Sequence, residues 1–141
     1  MKILFTIITM VLTNAVMSQD TVKMIINNKV VATFISNQEP KNISIKKINV
    51  SPAKPFFIQF KAGTKDSPYK QSIEITDSKE SQSTVLNITE QKNAQQNITA
   101  LLKKYNFFKK QSIKIYLLLN PANDMMMMPS KRLYLGELTL K

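Results

Sequence analysis

Thr21-Val22-Lys23-Met24-Ile25-Ile26-Asn27-Asn28-Lys29-Val30-Val31-Ala32-Thr33-Phe34-Ile35 is the stretch that decides the architecture. Val22, Met24 and Ile26 alternate with Lys23 and Asn27, and Val30, Ala32 and Phe34 resume the same two-residue period after Asn27-Asn28. Successive side chains of a strand point to opposite faces, so this spacing collects the apolar residues on one side of an extended chain and would scatter them around a helix. Asparagine tolerates the positive φ that a tight hairpin turn demands. The reading is therefore a β-hairpin, residues 21–26 against residues 29–35.

The same period recurs towards the C-terminus. After a loop at residues 36–40, Ile43 and Ile45 alternate with polar neighbours, and the phase breaks at Lys46-Lys47 before Ile48 and Val50. One extra residue there predicts a bulge or a bend between sheets. Pro52 and Pro55 bracket a connection because neither can donate to a ladder. Phe56, Ile58 and Phe60 then line one face of a central strand. Tyr69, Gln71, Ile73 and Ile75 oppose Lys70, Ser72, Glu74 and Thr76, a charged loop follows at 77–83, and Leu86 and Ile88 mark another strand. Residues 112–120 are apolar on both faces, which predicts burial on both sides. A last strand over 132–141 carries a phase change at Gly136-Glu137.

One stretch has the helical period instead. Ile98, Leu101, Leu102 and Tyr105 fall at i, i+3, i+4 and i+7, with Asn97 placed to cap the start and Lys103 and Lys104 near the C-terminal end. Seven to eight short strands and one short helix, with turn signals about every ten residues, predict an all-β chain. The expected fold is an antiparallel β-sandwich with Ig-like or Greek-key connections.

Ahead of the hairpin, Lys2 precedes an apolar run of about ten residues, Ile3 to Leu12, and Val16-Met17-Ser18 sets compact residues before Gln19. This is the layout of a signal peptide over 1–18, shorter than the roughly 20 residues a membrane span needs. The expectation is an exported protein, secreted or periplasmic, whose mature chain is a single β-sandwich domain over 19–141 with no transmembrane segment.

The chain carries a formal charge of +11, nearly all of it lysine, with Arg132 the single arginine. Lysine is a flexible, hydrated point charge, whereas arginine supplies the forked geometry that reads phosphates and base edges. A lysine excess therefore suits loose contact with a polyanion, or solubility alone, and argues against specific nucleic-acid recognition. Four Asn-x-Ser/Thr triplets, at Asn42, Asn49, Asn87 and Asn97, read as chance in a chain this rich in Asn, Ser and Thr.

Histidine and cysteine are absent. Their absence removes Ser-His-Asp and Cys-His nucleophilic sites, thiolate chemistry, and the metal centres built on imidazole or thiolate. The two glycines cannot form a phosphate-cradling loop, and the nine acidic residues show no pairing suited to glycoside hydrolysis. Asp66 with Asp77-Ser78-Lys79-Glu80 reads as a polar turn, because a Ca²⁺ loop alternates its oxygen ligands and places no lysine among them. The expectation is a non-enzymatic binding or accessory protein without a cofactor.

Two places remain as candidate contacts. Met125, Met126, Met127 and Met128, followed by Lys131 and Arg132, form a loop between the last two strands. Its methionines read as adaptable plugs for one end of the sandwich, as a pliable surface for a protein, peptide or lipid partner, or as thioether ligands for Cu(I). Lys103, Lys104, Lys109 and Lys110, with Phe107-Phe108 between them, form a cationic patch for an anionic surface polymer. The plainer reading of these residues is solvated lysines that guard strand edges.

Overall fold

The computed structural model describes residues 20–46, 53–63, 69–87, 95–109, 111–123, 127 and 129–141. The proposed leader, Lys47 to Pro52, Lys110, and Met125, Met126 and Met128 lie outside them. Among the described residues there are nine strands: β1 (Thr21–Ile26), β2 (Lys29–Ile35), β3 (Lys41–Ile45), β4 (Phe56–Lys61), β5 (Tyr69–Asp77), β6 (Ser83–Asn87), β7 (Gln95–Asn97), β8 (Ile113–Pro121) and β9 (Lys131–Leu140). They form a four-stranded sheet in the order β2-β1-β4-β7 and a five-stranded sheet in the order β3-β9-β8-β5-β6. Between β7 and β8 run one helical turn, α1 (Thr99–Lys104), and a 3-10 turn, Phe107–Lys109. The β-sandwich is the one expected from the two-residue period. From β4 onward the chain visits the first, second, second, first, second and second sheets, so it crosses repeatedly between the two layers.

The opening hairpin forms at the expected residues. Asn27 and Asn28 adopt φ of 50° and 61°, the left-handed pair that a two-residue turn needs. Met24 faces Ala32 while Ile25 faces Val30, so Val31 has no opposite residue on β1 and the strand bulges there. The bulge shifts the phase, and Val30 lies exposed where strict alternation would bury it. Asp20, just before β1, ties the two sheets: one carboxylate oxygen accepts the Gly63 N–H at 2.8 Å and the other accepts from the Gln71 carboxamide on β5 at 2.9 Å.

Two pairings depart from the sequence reading. β7 is a ninth strand, three exposed polar residues paired with β4, and no apolar alternation announces it. β3 runs parallel to β9, from Lys41 opposite Gly136 to Ile45 opposite Leu140, so one pairing of the sandwich is not antiparallel. Alternation fixes which face of a strand is buried and leaves its partner and direction open.

The core lies between the sheets. Met24, Phe34, Phe56, Ile73, Ile115 and Leu138 are fully buried there. Leu117 is buried as expected, whereas Leu118 and Leu119 at the far end of β8 are only partly covered. The helix is shorter than its apolar stripe: Ile98 takes the capping place and the Asn97 carboxamide accepts the Thr99 N–H at 2.9 Å. Ile98, Leu102 and Tyr105 point inward, and the Phe56 N–H donates to the Thr99 hydroxyl, which docks the turn on β4. A turn this short has little helical stability of its own and is held by that packing. Among the described residues no helix is long and apolar enough to cross a membrane.

Candidate functional site

The lysine-bearing end is organised by aromatic packing. Phe107 is fully buried, and its ring meets Phe56 edge-on at 6.0 Å between centroids. Phe108 packs edge-on against Phe107 at 5.6 Å and keeps part of its ring at the surface. Asn106, at φ 56°, turns the chain out of α1 into the 3-10 turn. Lys103, Asn106, Phe108 and Lys109 then line a shallow, open depression of about 250 Å³. Both lysines are exposed, and among the described residues no acidic one lines the depression. Lys104 is exposed but lies outside it, because consecutive helical residues are turned about 100° apart. The sequence doublet is thereby split, and Lys103 is joined instead to Lys109.

Met127, the one described residue of the four methionines, sits at the other end. The nine residues of β8 lead from the 3-10 turn to the loop, a span of about 30 Å at strand rise. Met127 is fully exposed. Lys131 and Arg132 open β9 and, as neighbours on a strand, point to opposite faces. The Lys131 ammonium lies 5.7 Å from the centre of the Tyr69 ring.

Arg132 is engaged within the chain. Its guanidinium lies over the Tyr116 ring, 3.6 Å from the centroid, and donates to the Glu74 carboxylate at 2.6 and 3.3 Å. Glu80, in the turn between β5 and β6, stands 3.5 Å from the same guanidinium and accepts the Tyr116 hydroxyl proton. The Tyr134 ring packs 5.2 Å from Tyr116. The single arginine therefore knits β5, β8 and β9 on the outer face of the larger sheet. Glu74, Tyr116 and Tyr134 are direct cross-strand neighbours, a juxtaposition visible only once the register is known.

Burial, helped by the Glu80 carboxylate, pushes the Tyr116 hydroxyl up to about 12. The Tyr116 hydrogen bond, ahead of the nearby cations, holds Glu80 below the usual carboxylate range. A phenol whose pKa is raised by folding contributes stability that is complete below pH 10 and lost as pH climbs through 12. Stability measured by urea unfolding is expected to fall more steeply between about pH 10 and 12 in the wild type than in Tyr116→Phe. Parallel curves for the two proteins would mean that this phenol is not held by its surroundings.

Among the described residues no three carboxylates gather closely enough to hold a metal ion. No protein-family model matches the chain, and no curated protein is similar to it in sequence.

Proposed function

We propose that this protein is an exported, non-enzymatic β-sandwich that binds an anionic surface polymer through the end bearing Lys103 and Lys109. The observation that carries the reading is the depression in which these two lysines flank Asn106 and Phe108, with no carboxylate among the described lining residues. A cationic hollow on a chain of charge +11 raises the local concentration of polyanions and draws them to that end. Lysine suits the task, since a polymer with many equivalent charges asks for point charges and not for forked recognition. Arg132, already bound by Glu74, is not available for it without breaking that pair.

Titration of the full chain with dextran sulfate at several salt concentrations tests the proposal. Affinity is expected to fall steeply as salt rises. Lys103→Gln/Lys109→Gln should bind about 10- to 30-fold more weakly, at about 1 kcal/mol per lysine facing an anionic surface. Binding indifferent to salt, or equal in wild type and variant, removes the reading. The full exposure of Met127 favours a second, apolar contact at the opposite end. Replacing Met125 to Met128 by serine should leave dextran sulfate affinity unchanged, and a loss there would move the polymer contact to that loop.

A further inference from the structure

We propose that the polymer taken by this depression is an acidic glycan, with a sugar ring laid on Phe108 and its carboxylate or sulfate groups held by Lys103 and Lys109. This inference rests on the polyanion reading above and names the ligand class of the same site.

The argument begins with Phe108. A hollow that served charge alone would have no use for an aromatic wall, yet Phe108 shares the lining with the two lysines. The ring is held by edge-on packing on Phe107, which in turn packs on Phe56, so a chain of three rings anchors it to the core. Rigid aromatic surface gives contact area at low entropic cost. The wall therefore asks for a ligand with a flat apolar face.

A pyranose has such a face in its axial C–H groups, and it carries hydroxyls and charged groups around its edge. Asn106 supplies both a donor and acceptors for those hydroxyls. Lys103 and Lys109 supply flexible ammonium groups for the charged substituents. Apolar lining with a few convergent polar groups is the usual composition of a small-ligand site. Polyphosphate would use the lysines and leave the ring idle, while a neutral glycan would use the ring and leave the lysines idle. Of these three ligand classes, the acidic sugar is the one that uses all four residues.

The test compares an oligogalacturonate hexamer, a sulfated disaccharide polymer and linear polyphosphate, each titrated into the full chain, with variants Phe108→Leu, Phe108→Tyr and Lys103→Gln/Lys109→Gln. Leucine keeps apolar volume and removes the flat face. Phe108→Leu is expected to weaken the glycans about tenfold, the scale of one ring-stacking contact, and to leave polyphosphate unchanged. Phe108→Tyr should retain glycan affinity. The hexamer and the sulfated polymer separate carboxylate from sulfate as the charged group, and binding of either supports the proposal. In the wild-type chain, nuclear Overhauser contacts between Phe108 ring protons and sugar C–H protons should appear at saturation, a readout independent of any variant's folding. Absence of those contacts, or equal weakening of glycan and polyphosphate by Phe108→Leu, overturns the glycan assignment and leaves the polyanion reading standing. Unchanged binding of all three probes by the double lysine variant takes down both.

Discussion

Replacing Gly136 with alanine is expected to destabilise the protein by about 3 kcal/mol or more, the combined scale of a strained backbone and an overpacked core. Gly136 sits at φ +152°, a conformation L side chains rarely adopt. A methyl group there would collide with the Lys41 carbonyl oxygen and stand 2.7 and 2.9 Å from Phe34 ring carbons. The obstacles are backbone on one side and a fully buried aromatic ring on the other, so neither yields cheaply. The strand bulges at this point, because Ile115 faces Gly136 while Tyr116 faces Tyr134 and Leu135 is left over. Thermal and urea unfolding of Gly136→Ala should show the loss directly. A variant within 1 kcal/mol of wild type would mean that β3 and β2 do not press on β9 as described.

The second large effect belongs to Phe107. Truncation to alanine removes a fully buried ring from the junction of β4 and the 3-10 turn, at an expected cost of about 3–5 kcal/mol. The same change removes the support of Phe108, so the variant should lose glycan affinity along with stability. Phe107→Leu separates the two effects. It should recover much of the stability, and polymer affinity measured well below its unfolding midpoint then reports the platform alone. Full stability in Phe107→Ala would show that the ring is not part of the core.

Elements of this chain differ in how plainly their residues announce them, for physical reasons. The two strands and the turn of the first hairpin were legible because apolar alternation and an Asn-Asn pair coincide at residues 21–35, but the bulge at Val31 that turns Val30 outward was not. The bulge near Gly136 was legible too, since a phase change beside a glycine has few other meanings. β7 was not, because Gln95–Asn97 buries nothing and is a strand only through its ladder to β4. The direction of β3 was not, because a period of two is the same read forwards or backwards along a partner. The lysine end was legible in composition, but its geometry was hidden. Which of Lys103 and Lys104 joins Lys109 depends on helical phase and on the rings that seat the turn. The Arg132 cluster escaped altogether, since Glu74, Glu80, Tyr116 and Tyr134 meet only across strands distant in the chain.

The parallel ladder between β3 and β9 has a temporal consequence. It joins Lys41 to Gly136, residues about 95 positions apart, and closing so long a loop is an entropic cost met before any contact rewards it. β3, at the edge of the larger sheet, pairs with β9, and five described strands lie between the two in the chain. Until β9 arrives, Ile43 and Ile45 have no strand to lie beside, and the nascent polypeptide stays pliable. A fold latched so late stays open through much of its synthesis, and β3 closes onto the sandwich only once β9 has formed.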